Sequence, residues 1–524
     1  MVDIEAIETQ RLELQVELDE QKTQAERNKA GQFATPTRLA REVVSAGLSE
    51  LNGAAVSFLD PAIGTGSFFS ALLAVNEDHA IDVAVGFDID NHYAGPARDL
   101  WSEHELDLRT ADFTDLIPTS SFNLIVCNPP YVRHHHLTKK LKKRLVQTSS
   151  EIAGTKVSGL CGLYGHFLLL SKRWMAEGGI GVWLIPSEFM DVNYGKAIKR
   201  FLLNEVTLLR IHRADPAALE FEDALVSSAI VIFANKEPPR GHSVRFTYGG
   251  SLAQPAKESL YSVPGLTRAP KWTRFPLEAE PVEGEGEARP LTLGDVFIVR
   301  RGIATGNNKF FIVTQERAAE LGLPEQHLTP ILPSPRKLKK NEVASGGDGV
   351  PDLDPVFMLI DCSRPQQEVQ ELYPRLWSYL EAGVGAVSER YLCSKRKPWY
   401  SQEQREPAPL MCTYMGRGDP AKRNPFRFIR NRSRAIGANV YLMLYPKVPA
   451  AADDAFVDRI WEHLNALDPR QLLRQGRVYG GGLHKLEPAE LSAVPIPKEL
   501  LPAEMAVRVE HAVSGRRQVE LPFS

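Results

Sequence analysis

Between residues 56 and 75 a short apolar run, Val56-Ser57-Phe58-Leu59, meets a turn holding two glycines, Asp60-Pro61-Ala62-Ile63-Gly64-Thr65-Gly66-Ser67. An apolar helical stretch follows from Phe68 to Val75. Strand, glycine turn and helix in that order is the layout of a nucleotide fold, because a residue without Cβ lets the backbone approach a ligand closely. By itself the turn fits NAD, another nucleotide or tight packing. A second apolar run, Val83–Phe87, ends in Asp88-Ile89-Asp90, with Asp88 placed 28 residues after Asp60. An acid there suits a ribose diol, and it also suits a helix N-cap. The next strand end, Thr110-Ala111-Asp112-Phe113-Thr114, supplies another acid and an aromatic ring able to flank a purine.

The apolar run Phe122–Cys127 leads into Asn128-Pro129-Pro130-Tyr131. An amide at the mouth of a strand offers a carbonyl acceptor. Two prolines stiffen the turn, remove two N–H donors and leave the Pro129 carbonyl unpaired. Tyr131 adds a flat ring. Two acceptors and a stacking platform suit a planar substrate bearing an NH2 group, although Pro-Pro after a strand is also a plain strand terminator. Cys127 belongs on the opposite face of the strand from Asn128 and reads as core.

The order of these motifs resembles the S-adenosylmethionine-dependent DNA methyltransferases that modify the N6 amino group of adenine, in the gamma (TaqI-like) arrangement. Within it the chain resembles single-chain type II restriction-modification methylases with an Eco57I-type methylase domain. The similarity is specific over roughly residues 25–240 and looser beyond. The extra cofactor segment of that family is matched by Gly31-Gln32-Phe33-Ala34-Thr35-Pro36, ahead of a helix from Thr37 to Leu48. The resemblance implies a cofactor, S-adenosylmethionine, with Thr35 and Pro36 closing over it. Asp60 and Ala62 then lie by the methionine moiety, Gly64 and Gly66 in the turn, Asp88 on the ribose, Asp112 and Phe113 by the adenine, and Asn128 beside it. It implies Asn128, Pro129, Pro130 and Tyr131 as the catalytic set, and a target base extruded from duplex DNA and stacked between Tyr131 and Phe221. Phe221 stands twelve residues before Phe233. No nucleophilic cysteine is required. Lys196, Lys199 and Arg200 are candidates for phosphate contact or for a solvated face.

At 524 residues and 43% hydrophobic content the chain is long enough for two or three cored domains. No apolar run approaches 18 residues and the first 30 residues are charged, so neither a membrane span nor a secretory signal is expected. Five cysteines without metal spacing suit a reducing bacterial cytoplasm. His134-His135-His136 reads as a polar loop lip, and no metal is expected. A net charge of −3 means that any polyanion must meet a local basic surface.

Strand and helix signals alternate from 37 to 235, with Glu177-Gly178-Gly179 closing a helix and Asn193-Tyr194-Gly195 opening another. The fold class expected is α/β: a doubly wound, Rossmann-like methyltransferase domain, to which the family resemblance adds one antiparallel strand, followed by an α+β target-recognition domain. The divisions are a solvated N-terminal helix packed on the catalytic domain (1–30), the methyltransferase domain (31–240), a punctuated linker or boundary region (241–290) and the recognition domain (291–524). From Arg390 to Arg434 twelve Lys/Arg stand against three acids, interleaved with Tyr391, Trp399, Tyr400, Tyr414, Phe426 and Phe428. Such a mixture suits phosphate neutralisation and base stacking, so Arg427, Arg430 and Arg432 are candidate contacts to double-stranded DNA. The segment from Arg477 to Pro488, which holds Gly480–Gly482 and runs into Val494-Pro495-Ile496-Pro497, resembles the tail of target-recognition domains in single-chain modification methylases.

The function expected is site-specific adenine methylation protecting host DNA, with a separate cognate restriction endonuclease as genetic partner. The rivals are a glutamine-N5 or guanine-N2 methyltransferase acting on protein or RNA, and a non-catalytic DNA-binding subunit of a restriction complex.

Overall fold

The computed structural model describes residues 4–51, 55–76, 79–213, 228–277, 291–417, 424–447, 451–479 and 483–501. Two compact units emerge, Met1–Gly284 with Tyr479–Gly481, and Glu285–Val478 with Gly482–Ser524. No described helix is long and apolar enough to cross a membrane.

The first unit begins with α1 (Ile4–Glu20), α2 (Gln24–Ala30) and α3 (Thr37–Leu48). Strands β1 (Val56–Asp60), β2 (Ile81–Asp88), β3 (Leu106–Thr110), β4 (Phe122–Cys127) and β5 (Met175–Pro186) are all parallel. They alternate with α4 (Ser67–Val75), α5 (Asn91–Leu100), α6 (Lys139–Ile152) and α7 (Leu163–Ser171). After α8 (Lys196–Asn204) come β6 (Thr207–Arg213), β7 (Ser228–Ala234), β8 (Ser243–Gly250) and β9 (Pro255–Ser262). The sheet order is β3-β2-β1-β4-β5-β7-β6-β8-β9. β7 runs antiparallel to both β5 and β6, β8 pairs parallel with β6, and β9 turns back on β8.

The central strands are apolar on both faces because helices cover both. Phe58, Leu124 and Val126 feed one core cluster, while Leu59, Ile125 and Cys127 feed the other. Burying a side chain such as Phe58 contributes about 2–3 kcal/mol. This two-sided burial explains the continuous apolar runs.

The stretch 241–290 is not a bare linker: residues 243–262 form β8 and β9, so two strands of the sheet, β7 and β9, run against the rest where one was expected. Its Gly249-Gly250 pair marks the tight turn between β8 and β9, where both glycines take positive φ. Glu177–Gly179 lie inside β5 and close no helix; the preceding helical turn has already ended at Trp174. Helix α1 packs on this unit as expected, and what differs is that it buries the polar Glu8 and Arg11 along with Ile7 and Leu18.

In the second unit a five-stranded sheet runs in the order Phe297–Arg301, Tyr441–Pro446, Leu410–Thr413, Phe428–Asn431, Glu342–Val343. The helix Asp454–Ala466 packs on Phe428–Asn431, where Trp461 donates its indole N–H to the Phe428 carbonyl at 2.9 Å. A three-stranded sheet of Ile312–Thr314, Phe357–Ile360 and Leu328–Ile331 completes the mixed α and β character of this unit.

Candidate active site

Carboxyl ends of parallel strands and the loops that follow them make a cleft. Here β1, β2, β3 and β4 end around a cavity of about 460 Å³, within the roughly 300–1,000 Å³ range of small-ligand sites. Thr35, Asp60, Ala62, Gly64, Asp88, Asp112, Phe113, Asn128 and Pro130 all line it. Pro36, Gly66, Pro129 and Tyr131 do not.

The glycine turn is built from inside and outside. Gly64 has φ +56, and a Cβ there would enter open space, so its backbone is bared to the cavity. Its N–H donates to Asp88 Oδ2 at 3.0 Å, while the Asp90 N–H donates to Asp88 Oδ1 at 2.8 Å. Each of those oxygens keeps a further lone pair for a ligand. Gly66 (φ +92) faces the other way: a Cβ would meet Trp101 Nε1 at 2.4 Å, and that indole donates to the Thr65 carbonyl at 2.9 Å. Gly66 therefore shapes the turn from behind and does not touch the cavity.

The helix N-cap considered for Asp88 belongs to Asp90, whose Oδ1 accepts the His92 N–H at 3.1 Å at the start of α5. Asp112 caps the short turn 113–115 through Oδ1, which accepts from the Thr114 N–H at 2.9 Å and its hydroxyl at 2.8 Å. Phe113 packs 5.2 Å from Phe167, another cavity-lining ring.

Asp60 is buried, and its Oδ1 accepts the Ala62 N–H at 3.0 Å. Burial, with the Asp88 carboxylate adding to it, pushes its carboxyl up to about 8. Burial also raises Asp88. Asp90 goes the opposite way: burial works upward, but the Lys22 ammonium and the Gln32 amide (2.8 Å) hold its carboxyl below the usual range.

Asn128 is fixed by the segment Gly31–Thr35. Its Nδ2 donates to the Phe33 carbonyl at 3.0 Å and to Thr35 Oγ1 at 3.1 Å. Both amide hydrogens are thereby used, and Oδ1 has no donor among the described residues. The Tyr131 N–H donates to the Gly31 carbonyl at 3.1 Å. Gly31 has φ +69, and a Cβ on it would lie 2.4 Å from the Tyr131 nitrogen. Only glycine allows the two segments to meet. The Tyr131 ring lies 5.7 Å from Phe33, and its hydroxyl donates to the Leu184 carbonyl at 3.1 Å. Burial pushes that phenol well up, so it stays neutral.

Gln15, Asp19, Lys22, Gln32 and Tyr93 were not anticipated. Gln15, Asp19, Gln32 and Tyr93 line the cavity, and Lys22 reaches Asp90 beside it. Glu8 and Arg11 tie α1 down: Arg11 bridges Glu8 at 2.7 Å and donates to Thr65 Oγ1 at 3.1 Å, and Thr65 in turn donates to Gln15 Oε1 at 2.7 Å. Glu8, Arg11 and Gln15 share one helix face at i, i+3, i+7. This polar stripe is a usable signal, but it is invisible to a search for apolar periodicity.

The aromatic side chains of the basic stretch in the second unit are largely interior, whereas most of its described cations are exposed. Tyr400, Tyr414, Phe426 and Phe428 are buried core. Arg430 is 1% exposed and pairs with Asp458 at 2.7 Å and with Asp454. Arg432 bridges Glu342 at 2.7 Å and Asp458 at 3.0 Å. Arg427 donates to the carbonyls of Pro335, Leu338 and Lys340 and to Asn341 Oδ1. All three already have protein partners, and of them Arg430 is buried and closed to phosphate. Lys199 is likewise buried, donating to the carbonyls of Met190 (3.1 Å) and Pro270 (2.7 Å). Phe221 and Gly480–Gly482 lie outside the described residues.

Fold and cavity define a doubly wound α/β protein with a ligand cleft at its strand ends. Residues 70–218 match the family model described as "Eco57I restriction-modification methylase", and residues 269–520 match "Type II methyltransferase M.Eco57I, C-terminal domain". The chain belongs to the Eco57I-type restriction-modification methylase family. It is 28% identical over 484 residues to Type II methyltransferase M.XamI of Xanthomonas campestris pv. amaranthicola, covering 90% of this chain and 85% of the relative. It is 26% identical to M.AccI of Acinetobacter calcoaceticus, covering 89% and 85%. Among solved structures, the Type IIL restriction-modification enzyme MmeI in complex with DNA aligns at 12% identity over 99% of this chain and 71% of that one, with a TM-score of 0.49.

Proposed function

We propose that the protein transfers a methyl group from S-adenosylmethionine to the N6 amino nitrogen of an adenine extruded from duplex DNA. It would act at a specific site, as the modification partner of a separate restriction endonuclease. The observation that carries this reading is the clamped amide of Asn128, a cavity-lining residue whose Nδ2 is spent on Phe33 and Thr35 while its Oδ1 has no donor among the described residues.

The cavity fits the cofactor: bare backbone at Gly64, carboxylates at Asp88 and Asp112, an aromatic wall at Phe113 and a buried acid at Asp60. When bound, S-adenosylmethionine supplies an electrophilic methyl group on a sulfonium. The work left to the chain is to make a poor nucleophile available, since the lone pair of an adenine NH2 is delocalised into the ring. Asn128 Oδ1 and the Pro129 carbonyl accept one N–H each, which favours a tetrahedral nitrogen and frees the lone pair. No general base is needed before the transfer, and the surplus proton leaves afterwards. A base inside a duplex cannot reach such a turn and must be extruded. Tyr131 offers one stacking face, its ring held by Leu184 and Phe33, and Phe221 is assigned the other.

Incubating the protein with methyl-labelled cofactor and plasmid DNA, then digesting to nucleosides, should yield N6-methyladenine as the only labelled base. Label in cytosine would refute the adenine assignment. Label in a release factor or ribosomal RNA, with DNA untouched, would favour the rivals.

Cofactor affinity should depend on pH. With its carboxyl near 8, Asp60 is mostly protonated at neutral pH, and a cationic ligand favours the ionised form. Binding then releases up to about one proton, so affinity rises from pH 6 to 8 and levels off above. Calorimetry in buffers of different ionisation enthalpy reads this directly. Asp60→Asn should abolish the release, and its persistence in that variant would put the proton elsewhere.

A further inference from the structure

We infer that duplex DNA is gripped by the rim of a second cleft, in the unit beginning at Glu285, with Arg336, Lys339 and Arg417 on backbone phosphates and Arg427 as the residue that positions the loop carrying Arg336 and Lys339. The inference rests on reading duplex DNA as the substrate, and it relocates the contact surface from the arginines singled out in the sequence.

The cleft encloses about 850 Å³, and Arg336, Lys339, Arg417 and Arg427 all line it. No Asp or Glu does so among the described residues. On a chain of net charge −3, an acid-free wall carrying four cations is a local departure that suits a polyanion. Arg336, Lys339 and Arg417 are exposed and have no carboxylate partner among the described residues. Elsewhere in this unit arginines are spent on ion pairs, as at Arg430 and Arg432.

Arg427 explains why the loop presents its cations outward. Its guanidinium donates to the Pro335 carbonyl at 3.0 Å, the Leu338 carbonyl at 2.6 Å, the Lys340 carbonyl at 3.0 Å and Asn341 Oδ1 at 2.9 Å. Three backbone carbonyls of residues 335–340 are thus turned onto one buried-side cation. On the loop's flank, Lys337 rests over the Phe357 ring, 5.3 Å from its centroid. The loop is organised before any ligand arrives, which lowers the ordering cost of binding. The opposite margin is equally set: a Cβ on Gly416, next to Arg417, would meet the Pro425 carbonyl oxygen at 1.7 Å, so only glycine permits that approach.

The test uses the full chain carrying Arg336→Gln, Lys339→Gln and Arg417→Gln together, with duplex affinity measured by fluorescence anisotropy between 50 and 200 mM salt. Binding should weaken at least tenfold, and the slope of log K against log salt should shrink by up to about 0.9 for each phosphate no longer neutralised. Cofactor affinity should be unchanged. Should the triple variant lose cofactor binding, the three single variants carry the same slope measurement. Arg427→Lys keeps the charge but has three donors on a single nitrogen in place of the guanidinium fork that serves four acceptors, so it should weaken duplex binding while speeding amide hydrogen exchange over residues 335–341. An unchanged slope in the glutamine variants, with normal duplex methylation by the parent protein, overturns the phosphate assignment and leaves the proposed reaction standing. Unchanged exchange in Arg427→Lys overturns its positioning role. A parent protein that neither binds nor methylates duplex DNA removes the reading on which the inference rests.

Discussion

Asn128→Ala is expected to slow methyl transfer roughly a hundred- to a thousandfold, the usual cost of deleting one positioned polar contact at a reacting centre. The acceptor that pulls on the amino group disappears, and the backbone carbonyl of Pro129 cannot do the work of two. The structure adds a second effect that the motif alone does not suggest. The Asn128 amide also holds the Phe33 carbonyl and Thr35 Oγ1, at 3.0 and 3.1 Å, so its loss loosens the segment that covers the cleft. Each neutral hydrogen bond of this kind is worth about 1 kcal/mol. Cofactor affinity should therefore fall about tenfold, far less than the rate. Single-turnover kinetics at saturating cofactor separates the two effects. A rate within tenfold of the parent protein would take Asn128 out of the chemistry, and an unaltered cofactor affinity would show that the cover segment stands without it.

The largest stability effect is expected at Arg11. Its side chain is 1% exposed and that of its partner Glu8 is 5% exposed. Burial alone raises the Glu8 carboxyl, but hydrogen bonds from Arg11, Ser70 and Thr37 outweigh it and the net shift is downward. Removing one member of a buried pair leaves an uncompensated charge and costs about 3–5 kcal/mol. Arg11→Met should reduce the urea unfolding free energy by that amount. It should also weaken cofactor binding, since Arg11 braces Thr65 and Thr65 braces Gln15 in the cavity wall.

The pH dependence of that loss has a definite sign. In the parent protein Glu8 is depressed, so its contribution is present above the carboxylate range and is lost as pH falls through its folded value. In Arg11→Met only burial and the two hydroxyls remain, and the carboxyl rises. Acidification from pH 7 toward 5 then protonates Glu8, and the stability deficit shrinks. The double variant Glu8→Met/Arg11→Met removes both charges and should recover most of the loss, because replacing a whole buried pair with apolar groups is often close to neutral. Single and double variants of equal stability would mean that the pair is not coupled.

Cavity-lining residues were legible in the sequence wherever they sit at the end of a strand. Asp60, Gly64, Asp88, Asp112 and Asn128 follow apolar runs whose burial is a local property of the chain, and parallel strands bring their ends together without further instruction. All five line one cavity. Less legible was anything set by a polar partner distant in sequence. Arg430 and the exposed Lys339 look alike in a string of letters. Arg430 becomes interior because the helix Asp454–Ala466 lays Asp454 and Asp458, one turn apart, against the strand that carries it. Helix α1 reads as charged and solvated until Thr65, Ser70 and Thr37 arrive to satisfy Glu8 and Arg11.

The alternating α/β order, the glycine turn, the acids at the strand ends and the Asn-Pro-Pro-Tyr turn each depend on neighbours in the chain and can be read from it. Which arginines remain exposed, which partners the Asn128 amide finds, and that α1 walls the cavity follow from contacts between distant segments. Those outcomes depend on where a buried charge or amide finds its partner, and an unpaired buried polar group costs too much for the chain to leave that to local preference.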